Sequence, residues 1–168
     1  MQALMLAAGI GKRLGKYTNN NTKCMLEVAG KKLVDRTIDA VKFAGIKKFI
    51  IVVGYKGDNL INYLNEKYKN DKDIEFVFIN NTVYDKTNNI YSLYLAKDFF
   101  MKDDTILLES DLIFDKEIIK KLVENKNPNV ATVAKYASWM DGTVVNVGED
   151  NVITQFIEKK DFDYSKID

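Results

Sequence analysis

The chain has 168 residues, 46% of them hydrophobic and 29% charged, which excludes intrinsic disorder and allows one domain with a sizeable core. The net charge of +1 argues against a nucleic-acid-binding protein that works by bulk electrostatics. One Cys and no His exclude internal disulfides, Cys-rich zinc sites, His-ligated metals and Ser-His-Asp catalysis, so chemistry must rely on carboxylates, Lys, Arg, hydroxyls, backbone amides and a hard metal.

Short apolar runs alternate with amphipathic helical stretches along the chain. The pattern predicts strands over 3–8, 49–53, 74–79, 105–108 and 130–134, and helices over 34–43, 58–68, 88–100 and 115–123, with Asp58 and Asp115 as caps. Residues 143–147 and 152–157 are typical of an antiparallel hairpin. We therefore predict an α/β fold: one domain over 1–168, a three-layer α/β/α sandwich with a mostly parallel sheet. No signal peptide or membrane span is visible, so we expect a cytoplasmic protein without membrane insertion.

A glycine turn follows the first predicted strand, where open α/β sheets bind phosphates. Leu14 occupies the position where a dinucleotide fingerprint or a P-loop needs glycine, so both motifs fail. What remains is Gly9-x-Gly11-x-Arg13, followed by Lys23. Such glycines let backbone amides approach a triphosphate, and the two cations can bind its oxygens. A tight turn with two solvated cations is the alternative.

Residues 6–15 and 22–28 together resemble the signature of the nucleotidyltransferases that make nucleoside-diphosphate sugars and alcohols. Thr22 stands where that family usually has proline. The resemblance implies a Rossmann-like nucleotide-diphospho-sugar transferase fold and attack of an acceptor phosphate on the α-phosphorus of a nucleoside triphosphate. It also implies catalytic roles for Arg13 and Lys23. The nucleotide contacts that it implies are Leu6, Ala7, Ala8, Gly9, Gly11, Lys12 and Gly54.

Acidic residues end the strand predicted over 105–108. A carboxylate there suits Mg²⁺, which prefers a few carboxylates together with phosphate oxygens. The family has an aspartate at this point, so the resemblance gives Asp111 the metal-binding role and Mg²⁺ as the cofactor. Glu109 is either a second ligand or the partner of a nearby cation. A solvated loop aspartate or helix cap is the alternative for Asp111.

The stretch 88–96, with Asn80 before it, resembles the cytidylyltransferase branch that activates phosphocholine or 2-aminoethylphosphonate. In that branch Asn and Ser side chains lie near the pyrimidine, which assigns nucleotide contacts to Asn80, Asn89 and Ser92. The alternative is helix capping, with Asn88 or Asn89 as the N-cap and Ser92 facing water. The acceptor loop of the family aligns with 136–142, giving three acceptor candidates; these are Tyr136, Trp139 and Asp141. Aromatic residues, including Tyr91 and Tyr94, offer faces to a cationic acceptor or simply fill the core.

The resulting hypothesis is a Mg²⁺-dependent enzyme that transfers CMP from CTP to a small phosphorylated or phosphono amino-alcohol. The alternatives are a sugar-1-phosphate nucleotidyltransferase using UTP, dTTP or GTP, and a non-catalytic nucleotide-binding module. Because members of the family are usually longer, we expect a chain truncated at its C-terminal end. Fusion to, or partnership with, another enzyme of the pathway is compatible with that expectation.

Overall fold

The computed structural model describes residues 1–137, 139–140 and 142–158. The chain divides into two compact units, Met1–Lys126 and a second unit that begins at Asn127. In chain order the strands are β1 (Gln2–Ala7), β2 (Glu27–Val28), β3 (Lys31–Lys32), β4 (Lys48–Val53), β5 (Glu75–Asn80), β6 (Thr105–Glu109), β7 (Val144–Val147) and β8 (Ile153–Ile157). The α-helices are α1 (Leu33–Phe43), α2 (Gly57–Lys67), α3 (Asn89–Leu95), α4 (Lys97–Phe100) and α5 (Glu117–Glu124). Among the described residues, no helix has the length and apolarity needed to cross a bilayer.

The first unit is built on a four-stranded parallel sheet in the order β5-β4-β1-β6. Every residue of β1 is buried, because the strand is central and covered on both faces, which explains its continuous apolar run. Side chains of α1, α2 and α5 pack on one face, and those of α3 and α4 pack on the other. The predicted three-layer α/β architecture with a parallel sheet is confirmed.

One buried carboxylate joins α1 to α2. Asp35 is 3% exposed and accepts hydrogen bonds from Tyr63 (2.7 Å), Lys67 (2.7 Å) and Tyr68 (3.0 Å). Burial opposes the charged form, but these hydrogen bonds and the charge of Lys67 outweigh it and hold the pKa of Asp35 below its ordinary value. The network fixes the helices that cover one face of the sheet.

The extent of one predicted helix and the predicted cap residues differ from the structure. The helix predicted over 88–100 is interrupted at Ala96, which is fully buried against the sheet and separates α3 from α4. Asp58 does not cap α2: the cap position belongs to Lys56, in the left-handed conformation at φ +52°, and Asp58 lies in the first turn. Asp115 does not occupy the cap position of α5 either, which belongs to Lys116, but its carboxylate accepts a hydrogen bond from the backbone N–H of Glu117 at 2.9 Å.

Strand predictions failed where pairing depends on more than local pattern. Residues 130–134, predicted as a strand, are not in a strand; Val130 and Val133 are exposed, and within the described residues β7 and β8 pair only with each other. The antiparallel β7–β8 hairpin itself is confirmed. The β2–β3 hairpin was missed, because its turn places Ala29 at φ +48° before Gly30 at φ +75°, and alanine is rarely found there.

Candidate active site

The loop after β1 turns at Gly11, whose φ of +71° lies in the left-handed region. A short 3₁₀ segment, Lys12–Thr18, follows and contains a second positive φ at Gly15. The buried Thr18 hydroxyl shares its proton between the carbonyls of Gly11 (3.3 Å) and Gly15 (3.2 Å). Thr18 therefore ties the two glycine turns together. Sequence reasoning missed it, since a hydroxyl that binds backbone carbonyls leaves no residue-type signature.

The side chain of Lys23 runs across Gly11 to the end of β6. A Cβ placed on Gly11 would lie 2.6 Å from Lys23 Cγ, so only glycine leaves room for the lysine stem. Lys23 Nζ donates to Asp111 Oδ2 at 2.6 Å, and both side chains are partly exposed. The predicted catalytic lysine and the predicted metal aspartate are thus in direct contact across 88 residues of sequence.

These groups line an open cleft of about 630 Å³. Six predicted site residues form part of its wall: Gly9, Gly11, Lys12, Arg13, Lys23 and Asp111. The rest of the wall is apolar and comprises Leu14, Leu26, Val28, Leu33 and Ile113. Three cationic residues and one carboxylate line the cleft, so it carries the net positive charge that favours a polyphosphate.

Seven predicted nucleotide contacts lie outside the cleft wall, and two of them, Asn89 and Ser92, belong to α3. The side chains of Leu6, Ala7 and Ala8 are buried. Gly54 and Asn80 line a separate cavity of about 380 Å³ where β4 and β5 end. A Cβ on Gly54 would lie 2.8 Å from the Ala8 carbonyl oxygen, so close packing against the start of the glycine loop accounts for this glycine.

A buried polar network lies at the start of α3. Ser92 is 3% exposed and accepts a hydrogen bond from Asn81 Nδ2 at 3.1 Å, so the expectation that it faces water as a mere helix residue is wrong. Asn81 Nδ2 also donates a hydrogen bond to the Thr87 hydroxyl, and the sequence analysis assigned no site role to Asn81 or Thr87. Asn88 is the N-cap of α3, as the capping alternative expected. Asn89 Nδ2 lies 3.4 Å from Glu109 Oε1, which joins the start of α3 to the end of β6.

Two carboxylates mark the end of β6. Partial desolvation, and then the charge of Asp111, raise the pKa of Glu109, while Lys23 opposes the shift. Within the described residues, no group of three or more His, Cys, Asp or Glu side chains is arranged to hold a metal ion. The oxygen donors at the end of β6 are the carboxylates of Glu109 and Asp111.

The aromatic acceptor candidates are placed differently from one another. On α3, Tyr91 and Tyr94 are exposed, and Lys97 Nζ lies 4.6 Å from the centroid of the Tyr94 ring, so that face already holds a cation. In the second unit, Tyr136 lines a cavity of about 580 Å³ formed by residues 132–136, 140 and 142–147, and Trp139 is 80% exposed. Asp141 lies outside the described residues.

Comparison with known proteins identifies the relatives of this chain. The family described as Nucleotidyl transferase matches residues 2–165. The CTP:phosphoglutamine cytidylyltransferase of Campylobacter jejuni is 42% identical over 144 residues, covering 83% of this chain and 54% of that protein. The 2-aminoethylphosphonate cytidylyltransferase of Lancefieldella rimae is 33% identical over 117 residues, covering 70% and 45%.

A solved structure agrees with these sequence relatives. The CTP:phosphocholine cytidylyltransferase of Streptococcus pneumoniae superposes with a TM-score of 0.71 at 29% identity, covering 94% of this chain and 64% of that one. The chain spans about half the length of the curated relatives it matches. Since the family match spans nearly every residue, this protein belongs to the nucleotidyl transferase family.

Proposed function

We propose that this chain carries the nucleotide half of a cytidylyltransferase, which transfers CMP from CTP to a small phosphorylated or phosphono acceptor and releases pyrophosphate. The observation that carries the proposal is the cleft lined by Lys12, Arg13 and the ion pair of Lys23 with Asp111. The relatives support cytidine as the base, since those reported above are cytidylyltransferases for phosphoglutamine, 2-aminoethylphosphonate and phosphocholine.

The chain's own residues suit a reaction without a covalent enzyme intermediate. An acceptor oxygen forms a bond to the α-phosphorus, and the bond from that phosphorus to the bridging oxygen breaks, leaving pyrophosphate with the electron pair. Because the acceptor is already an anion, positioning and charge neutralisation are what the protein must supply. In this assignment Arg13 binds the leaving pyrophosphate, and Lys23 binds the α-phosphate and the attacking group.

The donor set at the end of β6 fits Mg²⁺ rather than a softer metal. Mg²⁺ takes one or two carboxylates and fills its remaining positions with water and substrate phosphate oxygens, and Asp111 and Glu109 supply such carboxylates. When bound, Mg²⁺ would neutralise phosphate charge. The ion pair of Lys23 with Asp111 has a consequence for binding. A phosphate oxygen must compete with Asp111 for Lys23, and the metal must compete with Lys23 for Asp111.

Thermal unfolding with Mg²⁺ and CTP, UTP, GTP, ATP or dTTP tests the nucleotide. At roughly a hundred times its Kd, a ligand adds about 2.7 kcal/mol, which raises the Tm of a domain this size by roughly 5–11 °C. We expect the shift with CTP alone and its dependence on Mg²⁺. A shift with UTP or dTTP instead would favour a sugar nucleotidyltransferase, and no shift with any nucleotide would refute the nucleotide-binding proposal.

Pyrophosphate release tests the reaction. With CTP and Mg²⁺, we expect release only when phosphocholine, 2-aminoethylphosphonate or phosphoglutamine is added. Lys23→Ala should lower the rate about 100-fold, the usual cost of removing one group that stabilises transition-state charge. Lys72→Ala, at an exposed lysine outside the cleft, is the matched control and should leave the rate unchanged. A normal rate in Lys23→Ala would contradict the assignment.

A further inference from the structure

We propose that Tyr55 and Asn59 are positioning residues for nucleotide binding, which hold the end of the glycine loop so that Lys23 stays in the cleft. Together they are called the loop clamp below. The inference rests on the proposed nucleotide-binding function, and it concerns residues outside the cleft wall.

The loop clamp holds three consecutive residues through side-chain hydrogen bonds. Tyr55 Oη donates to the Asn19 carbonyl oxygen at 3.0 Å. Asn59 Nδ2 donates to the Asn20 carbonyl oxygen at 2.9 Å and lies 3.3 Å from Asn21 Oδ1. Tyr55 follows β4 and Asn59 lies in the first turn of α2, so a rigid strand–helix junction supplies both donors.

The same junction also holds the start of the loop. The backbone N–H of Tyr55 donates to the Ala8 carbonyl at 3.0 Å, and Gly54 packs against Ala8. The loop is therefore attached to one junction at Ala8 and again at 19–21, two residues before Lys23. Between these attachments lies an exposed segment, residues 12–17, which carries Lys12 and Arg13.

The clamp contributes little to the stability of the fold, because exposed hydrogen bonds exchange readily with water. Asn59 is exposed and Tyr55 is only partly buried. The clamp instead restricts the conformational freedom of the loop. Without it, each freed residue must be ordered again when a nucleotide binds. Loss of the clamp should therefore weaken nucleotide binding and raise the KM for CTP, while kcat changes less.

Tryptic cleavage without nucleotide tests the clamp directly. The variants are Asn59→Ala and Tyr55→Phe, and the control is Asn62→Ala, which removes the same side chain from an exposed position of α2. Loss of one such hydrogen bond should raise the open population, and thus cleavage after Lys12, Arg13, Lys16 and Lys23, by about 2- to 3-fold. Asn62→Ala should cleave like the parent chain. Unchanged cleavage in both clamp variants would overturn the proposal.

The affinity for CTP with Mg²⁺ then separates a positioning role from a structural one. We expect Kd to rise by about 2- to 3-fold in each clamp variant, because the fold-rise in the open population and the fold-rise in Kd multiply to the roughly 3- to 10-fold effect of one hydrogen bond. The Tm in the absence of nucleotide should fall by no more than about 3 °C. Faster cleavage with an unchanged Kd would overturn the positioning role. If the parent chain binds no nucleotide, the proposed function fails, and so does the nucleotide role of the clamp, whereas the cleavage result still reports whether the loop is held.

Discussion

Replacing Gly11 by alanine tests how Lys23 reaches its place. Gly11 combines two constraints, a φ of +71° and a position where a new Cβ would lie 2.6 Å from Lys23 Cγ and 3.2 Å from Thr18 Cγ2. Gly45 is a matched control, since it has a φ of +79°, has open space around its Cα, and lies after α1 away from the cleft. The two variants share the backbone penalty and differ in the contact with Lys23.

The backbone penalty for a left-handed non-glycine residue is about 1–2 kcal/mol, so both variants should lose roughly 2–8 °C in Tm. Displacing Lys23 from Asp111 adds at most about 1 kcal/mol, because the ion pair is partly exposed. The effect on binding is larger, since a charge-assisted hydrogen bond to phosphate contributes about 1.5–3 kcal/mol. Gly11→Ala should therefore weaken CTP binding about 10- to 100-fold, and Gly45→Ala should not weaken it.

Thermal unfolding with and without CTP and Mg²⁺ measures both effects in one series. The stability loss is read in the absence of nucleotide, and the affinity is read from the dependence of Tm on CTP concentration. If Gly11→Ala binds CTP as tightly as Gly45→Ala, the placement of Lys23 across Gly11 does not matter for the nucleotide, and the argument from this contact is refuted.

Three further predictions concern other residues. Because burial is outweighed by the hydrogen bonds and the charge of Lys67, the pKa of Asp35 lies below 3.8, so its contribution to stability is complete above that pH and is lost as pH falls through the lower, folded-state pKa. Asp35→Asn should cost about 1–3 kcal/mol in urea unfolding at pH 7 and progressively less below pH 3.8; an equal cost at pH 7 and pH 2.5 would contradict this. Ser92→Ala should lower the stability by about 1 kcal/mol in the same assay, because Asn81 loses one buried partner, and an unchanged stability would contradict the network. Trp139→Ala should leave Tm within about 2 °C, since the side chain is 80% exposed, so any rise in the acceptor KM would report a direct contact and an unchanged KM would exclude one.

Local sequence was sufficient for the elements whose environment is recorded in their own residues. The strands β1, β4, β5 and β6 were all predicted. Burial on both faces produces the continuous apolar runs of the central strands β1 and β4, and the edge strands β5 and β6 are also apolar although they are only partly buried. The cleft residues Arg13, Lys23 and Asp111 were found through a motif, since charge at a glycine turn and at a strand end is visible in residue type. The structure then supplied the contact between the last two.

Features that depend on distant neighbours were not visible in this way. Gly54 was predicted from the resemblance as a nucleotide contact, and the close packing of Ala8 and Tyr84 around it, which belong to other segments, could not be read from the sequence. The apolar residues 130–134 indicated a strand, but a strand also requires a partner, and none pairs with them in the described part of the chain. Tyr55 and Asn59 bind the backbone carbonyls of Asn19 and Asn20, so the residue types at these two positions could not mark them as partners.

Sheet order is what brings the two halves of the site together. β6 lies directly beside β1, and their parallel register pairs Leu6 with Glu109, so the glycine loop and Asp111 leave the same edge of the sheet on adjacent strands. Side chains alternate between faces along a strand, so a slip of one residue in β6 would turn Glu109 to the opposite face and move Asp111 by about 3.3 Å along the strand. Leu108 is buried and faces α5 through the core cluster, and its burial resists such a slip. The hydrophobic packing of one residue in β6 therefore helps to keep the carboxylate of Asp111 within reach of Lys23.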